Sequence, residues 1–287
     1  MPSSRGYVRH FVACNRHDPC RFIPFYIGGR RYGFMGKGLA ASLVRETGFF
    51  EARDGGIALA AHFGNFAARS EALREATQAI AGKYGKPLHG ELYAVVEKWD
   101  DAPVAQLDRA AVPWFGVRAW GVHVNGFVRK RDGIYLWIGQ RAANRQAYPG
   151  QLDNMIGGGQ PIGLSPEQNL CKEAWEEAGI DRDLALTARK AGEIGYVLER
   201  PEGLRTDTLF IYDLELSESF TPRNTDGEVA SFTLMPLPEV AALVRDTDKF
   251  KFNCNLVVAD FMMRHGFITP QDGEYAELRR WLKSGSF

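Results

Sequence analysis

Cysteine is scarce in this chain: four among 287 residues, at positions 14, 20, 171 and 254. So thin and scattered a set excludes a disulfide framework, and reduced thiols in the cytoplasm are the expectation. Cys14 and Cys20 are spaced too widely for a C-x-x-C clip, and no matching Cys/His pair follows, although His10 and His17 lie nearby. Net charge is missing too, since Lys plus Arg and Asp plus Glu each number 35. No global field then draws the chain to nucleic acid or to an anionic membrane, and neither is an expected partner. No apolar run reaches the roughly 20 residues of a membrane-spanning helix. The opening MPSSRGYVRHFVACNRHD lacks the apolar core of a signal peptide. Internal repeats and low-complexity segments are absent.

What is present suits a globular protein, 45% apolar and 24% charged. The length allows one large domain or two modest ones. Residues 1–112 read as a smaller α+β domain. Within it FIPFYIGGRRYGFM alternates about Gly28-Gly29 as a hairpin. The pattern predicts a helix over 37–48, a strand over Ile57–Phe63, a helix over Arg69–Tyr84 stopping at Gly82–Gly85, and a strand over Glu91–Trp99. Asp100–Pro113, small and polar, reads as a linker. In residues 113–287, two alternating strands fill 114–140 about an Arg131-Asp132-Gly133 turn, and Arg141–Pro149 is a polar loop. Further strands are expected at Ala191–Glu199, Thr206–Leu214 and Glu228–Pro236. Helices are expected at Asp181–Ala188, Pro238–Val244, Asn255–His265 and Gly273–Lys283. Strands with intervening helices imply a sheet covered on both faces, an α/β/α sandwich.

The stretch from Gly157 to Ile180, GGGQPIGLSPEQNLCKEAWEEAGI, carries the chemistry. Ser165 reads as an N-cap, Pro166 as the first helical residue, Gln168 as the partner in a capping box, and Gly179 as the stop. Leu170, Cys171, Ala174 and Ala178 form an apolar stripe that can face a core. At roughly 100° per residue, Glu173, Glu176 and Glu177 fall within an arc of about 100°. Such a run alone is usually a solvated acidic face. Acids this close repel unless a cation sits among them, and a hard divalent ion such as Mg²⁺ or Mn²⁺ suits carboxylate oxygens.

With the upstream glycines, this spacing resembles the Nudix box. Gly158, Glu173, Ala174, Glu176, Glu177, Gly179 and Ile180 match, while Leu164 stands where the pattern has Glu and Lys172 where it has Arg. Phe115-Gly116, Trp120–Gly126, Tyr148–Asn154, Phe252-Asn253, Asp260-Phe261 and Arg264–Gly266 resemble the thiamine-pyrophosphokinase-related Nudix subgroup, which has an extra N-terminal domain. The resemblance implies a Nudix α/β/α sandwich with a mixed sheet and a C-terminal helical extension in 113–287, preceded by the smaller α+β domain. It implies a metal-dependent pyrophosphohydrolase that cleaves a small-molecule diphosphate to a monophosphate, with thiamine diphosphate or its damaged oxy and oxo analogues as the substrate. Mg²⁺ or Mn²⁺ is the implied cofactor. Glu173, Glu176 and Glu177, with the carbonyl of Gly158, are the implied ligands, and Glu173 or Glu177 the base.

Other candidates have bland alternatives. Lys172 contacts phosphate or simply pairs with Glu176. Arg141, Arg145 and Tyr148 bind diphosphate or belong to a solvated loop. His123 contacts substrate or is a hydrogen-bonded strand residue. Glu228, after the polar loop Ser217–Gly227, is a possible extra acid, with Asp226 behind it. Trp114 and Trp120 read as core or domain interface. Leu164 and Lys172 motivate an alternative, a non-catalytic Nudix domain binding a nucleotide or diphosphate ligand. An isopentenyl-diphosphate isomerase would need a His cluster paired with a catalytic Cys, which the sequence does not display.

Overall fold

The computed structural model describes residues 5–284; the outermost residues of the two expected units, 1–4 and 285–287, lie outside them. The chain opens with α1 (Val8–Cys14), followed by the expected hairpin β1 (Phe22–Ile27) and β2 (Arg30–Gly36). Next come α2 (Lys37–Glu46), β3 (Phe50–Arg53), β4 (Gly56–Leu59) and α3 (Phe66–Tyr84). The four strands form a sheet in the order β2-β1-β4-β3, with β1 and β4 parallel. Residues Leu73, Ala76 and Ile80 of α3 recur at helical spacing and are buried in one cluster with Phe25, Phe50 and Phe115.

Two expectations need correction here. Phe50–Arg53, not foreseen, is a strand, and Ile57–Phe63 shortens to Gly56–Leu59. Asp100–Pro113 is not a linker. It contains β6 (Ala105–Asp108), which pairs antiparallel with β5 (Leu92–Val95), and it runs into α4 (Val112–Phe115). Ala105 and Leu107 are buried, as are Val112, Trp114 and Phe115, so five well-placed apolar positions outweigh the polar composition between them.

The second half holds β7 (Arg118–Lys130), β8 (Gly133–Arg141), β9 (Leu152–Asp153), β10 (Ile156–Gly159), α5 (Pro166–Ala178), α6 (Arg182–Ala185), β11 (Arg189–Arg200) and β12 (Gly203–Glu215). It continues with β13 (Val229–Pro236), α7 (Leu237–Asp246), α8 (Cys254–Arg264) and α9 (Tyr275–Ser284). The main sheet runs β11-β12-β7-β8-β13 and is mixed: β12 and β7 are parallel, the other neighbours antiparallel. Alternation along β12 divides its faces. Leu209 and Ile211 pack under α7 and α8, while Phe210, Tyr212 and Leu214 pack under α5 and α6. That is the α/β/α layering expected. Phe11 and Cys14 of α1 join the α8 side, so the first helix is packed against the second half.

The sheet splits where the site lies. Strand β7 pairs with β8 only through 127–130, and its earlier part, 121–124, pairs with β10. Strand β9 meets β8 at Gly139 and Gln140. The glycine strand therefore enters beside β7, under α5. All four cysteines are free. His10 is bonded to the Val244 carbonyl and Cys20 is exposed, so the N-terminal Cys and His residues are not gathered. Among the described residues no helix is long and apolar enough to cross a membrane.

Gly116 joins the two halves. Its φ is +57°, and a Cβ there would lie 1.9 Å from the Phe34 carbonyl oxygen. The left-handed conformation and the overlap together predict that Gly116→Ala destabilises the protein by about 3 kcal/mol in urea unfolding. A change below about 0.5 kcal/mol would show that this junction is loose.

Candidate active site

Helix α5 begins and ends as its sequence dictates. The Gln168 amide N–H donates to Ser165 Oγ at 3.2 Å, and the Ser165 N–H donates to Gln168 Oε1 at 2.8 Å, closing the capping box. Gly179 ends the helix in the left-handed region. The loop after β12 clamps that end: the Arg223 N–H donates to the Ala178 carbonyl at 2.9 Å and Thr225 Oγ1 to that of Glu176 at 2.9 Å. Leu170, Ala174 and Ala178 are buried against the sheet, with Cys171 partly buried.

The acids do not simply face water. Glu173 and Glu177 are 8% and 6% exposed, whereas the Glu176 side chain is 37% exposed. Both buried carboxylates lie on the glycine strand. The Gly157 N–H donates to Glu177 Oε2 at 2.7 Å. A Cβ on Gly158 would sit 2.1 Å from the carboxyl carbon of Glu173, so only glycine leaves room for that carboxylate. The Gly158 carbonyl oxygen lies beside Gly121 of β7.

This burial has an electrostatic cost. Desolvation, then the charges of Asp153 and Glu173, holds the Glu177 carboxyl well above the ordinary carboxylate range. Burial also raises Glu173, with Lys172 pulling against it. Lys172 Nζ donates to Glu173 Oε1 at 3.0 Å and to Glu176 Oε2 at 2.6 Å. Burial opposes the charge on Lys172, but these bonds raise its pKa. Three carboxylates, two of them desolvated, offer the oxygen donors that a hard divalent cation takes, although in this structure their oxygens do not converge within 4.8 Å of one another and Lys172 Nζ lies between two of them.

Behind Glu177 lies a buried polar nest that the sequence did not reveal. Asp153 pairs with Arg141 Nη1 at 2.9 Å and Lys251 Nζ at 3.2 Å, and accepts from Cys254 Sγ at 2.7 Å. Burial opposes its charge, yet Lys251 above all holds Asp153 at about 2. His123 Nδ1 donates to Asn154 Oδ1 at 2.9 Å, and burial pushes the imidazole down to about 4. The fold thus assembles His123, Asp153 and Cys254, whose polar atoms lie within 4.8 Å of one another. Two cations already neutralise Asp153, and burial then Asp153 raise the Cys254 thiol well above its usual value. The ion pairs and hydrogen bonds brace the nest, and a thiol raised in this way is a poor nucleophile.

The remaining candidates are dispersed. Arg141 is buried, and its donors go to Asp153 and to the carbonyls of Ala147 and Tyr148. Tyr148 bonds Arg200 and stacks near Phe252, which packs on the α8 side of the sheet. Arg145 and Glu228 form an ion pair, and the Glu228 N–H donates to Asp226 Oδ1 at 2.8 Å. Burial first, with Glu228 and Glu176 among the charges, raises Asp226, so this loop lies at the exposed end of the acid cluster. Trp114 and Trp120 are buried, as their sequence context suggests. A cavity of about 640 Å³ bounded by Lys37, Tyr84, Trp114 and Arg200 includes no residue of α5.

The site is missed in one further respect by sequence reasoning. Glu91, Tyr93 and Arg109, from the ribbon β5–β6, adjoin Gly159 and Glu173. No local pattern signals this. The signal for Asp153 and Asn154 was present in Tyr148–Asn154, but read only as likeness.

Known proteins resemble this chain along nearly its whole length. A family model described as NUDIX domain matches residues 119–256, and one described as Domain of unknown function (DUF4743) matches residues 6–119. Nudix hydrolase 20, chloroplastic, of Arabidopsis thaliana is 36% identical over 291 residues, covering 97% of this chain and 78% of the relative. Nudix hydrolase 24, chloroplastic, of the same organism is 37% identical over 285 residues, covering 98% and 78%. The crystal structure of DR0079 from Deinococcus radiodurans is similar over 59% of this chain and 98% of that one, at 22% identity and a TM-score of 0.43.

Because the folded pKa of Glu177 is raised, the native metal-free protein keeps a proton that the unfolded chain releases near 4.5. Its contribution to stability is therefore largest below that pH and falls as pH rises toward the raised value. Glu177→Gln in EDTA is expected to be more stable than wild type at pH 8 by about 1–2 kcal/mol, with the gap closing below pH 4. Thermal unfolding across pH checks this; a variant less stable at pH 8 would contradict the burial cost assigned to Glu177.

Proposed function

The chain belongs to the Nudix hydrolases, enzymes of phosphoanhydride hydrolysis, and from that premise we propose that it performs metal-dependent cleavage of a small-molecule diphosphate to a monophosphate. The observation that carries this reading is the pair of desolvated carboxylates, Glu173 and Glu177, set against the glycine run Gly157–Gly159. In the proposed site Glu173, Glu176 and Glu177 hold the cation, with the Gly158 carbonyl as a further donor. Bound there, Mg²⁺ or Mn²⁺ supplies positive charge against the phosphate oxygens and acidifies water.

The chain's own residues do the rest. Glu177, fixed through Oε2 by the Gly157 amide, takes the proton of the attacking water. The water oxygen bonds to phosphorus as the bridging P–O bond breaks, and its electron pair leaves with the departing phosphate. Lys172, which balances Glu173 and Glu176 in the free protein, would serve as a phosphate contact. Arg145, ion-paired with Glu228 in the free protein, is a second phosphate contact, and Glu228 the reserve acid. Arg141 and His123 are positioning residues: the first holds Asp153, the second Asn154.

For the substrate we propose thiamine diphosphate or its damaged oxy and oxo forms, supported by the likeness of Trp120–Gly126 and Tyr148–Asn154 to the thiamine-related subgroup. We further propose that 113–287 is the catalytic unit and that 1–112 shapes its specificity. The apolar cluster running from Phe25 to Ala119 supports a core separate from that under α5.

A panel of thiamine diphosphate and its analogues, nucleoside diphosphate sugars and dinucleoside polyphosphates, assayed with Mg²⁺ and Mn²⁺, tests the reading. Glu177→Gln should lower kcat by about 10²–10⁴-fold with no recovery in excess Mn²⁺. Glu173→Gln should lose activity that partly returns in excess Mn²⁺, as expected of a ligand. Turnover of no member by the wild-type protein would defeat the reading, and equal metal rescue of both variants would remove Glu177 as the base.

A further inference from the structure

The ribbon β5–β6 belongs to the N-terminal half, yet it touches the glycine strand. The Ile162 N–H, just beyond Gly159, donates to the Leu92 carbonyl at 2.8 Å. A Cβ on Gly159 would lie 1.6 Å from the Tyr93 hydroxyl oxygen and 3.5 Å from the guanidinium carbon of Arg109. Tyr93 is buried, while the Arg109 side chain remains 43% exposed. Arg109 Nη1 donates to Glu91 Oε2 at 2.9 Å. Arg109, with Glu91 bonded to it, thus stands beside Gly159, the residue after the glycine that makes room for Glu173, and the charge of Glu91 is felt by that acid.

A guanidinium presents five N–H donors in a planar fork that matches phosphate oxygens in pairs. Arg109 spends one of them on a single, partly exposed carboxylate, an interaction that is weak in water. A phosphate group offers more charge and the paired geometry, and displaces such a partner. We propose that Arg109 binds the terminal phosphate of the diphosphate, with Glu91 as its resting counter-ion and Tyr93 fixing the ribbon against Gly159. This rests on the hydrolytic reading above and gives the N-terminal half a direct place in substrate recognition. It also supplies a rigid fork to a site whose box carries Lys172 where the Nudix pattern carries Arg.

The test uses the full chain and the variants Arg109→Gln, Arg109→Lys and Glu91→Gln. For whichever diphosphate the wild-type protein hydrolyses, Arg109→Gln should raise KM by about tenfold or more, with kcat changed by less than about threefold. Arg109→Lys should recover part of that loss. Glu91→Gln, by removing the competitor, should leave KM unchanged or lower it. Titration calorimetry with inorganic pyrophosphate and Mg²⁺ should show the same order of affinities. Unchanged KM and pyrophosphate affinity in Arg109→Gln would overturn the proposal. A rise in KM for Glu91→Gln as large as for Arg109→Gln would also overturn it, by showing that the ion pair only braces the ribbon. An inert wild-type protein would defeat the hydrolytic reading, and the pyrophosphate titration would then decide Arg109 by itself.

Discussion

Two carboxylates are kept out of water against a run of glycines, and most of the second half is arranged around that fact. Glu173 fits only because position 158 is glycine, and Glu177 is fixed by the amide of position 157. The strand can lie there because β7 leaves β8 early and opens a gap in the sheet. The capping box at Ser165 and the clamp at Arg223 and Thr225 then hold α5 over it from both ends. Desolvating an acid costs several kcal/mol unless something positive compensates. In the free protein Lys172 compensates Glu173 and Glu176, but Glu177 has only the Gly157 amide and, more distantly, Lys251. A cation bound as proposed would relieve this cost.

The polar nest around Asp153 solves the opposite problem. There the negative charge is over-compensated by Arg141 and Lys251, and the acid stays ionised although buried. Two acids a short distance apart thus have proton affinities driven in opposite directions, one by pairing and one by isolation. Such a divergence is a common mark of a reactive centre. His123, kept neutral, continues the nest through Asn154 and Asn125 to Asp213, which Arg264 and His265 hold from α8 and its end.

How much of this could be read in advance follows the range of the interaction. Helix α5 was legible to the residue because a cap, a stripe and a stop are local. The hairpins about Gly28-Gly29 and Arg131-Asp132 were legible for the same reason. The nest was not, since its partners lie 98 and 101 residues apart. Nor was the ribbon: β6 is four residues long, too short to show its alternation against a polar background. Arg109 looked like part of a linker because nothing in its neighbourhood names Gly159. The acids of α5 were foreseen, but their burial was not, because burial depends on the bare strand opposite.

Helix α1 has an effect on the order of events when the chain is made. The amides of Tyr7 and Val8 are both accepted by the carboxylate of Glu274, 267 and 266 positions later. Phe11 and Cys14 share their apolar surroundings with α8 and α9. A ribosome therefore delivers the first helix long before anything exists for it to rest on. Seven residues are too few to hold a helix in water. Helix α1 must wait, loosely structured, until the segment around Glu274 emerges and closes over it.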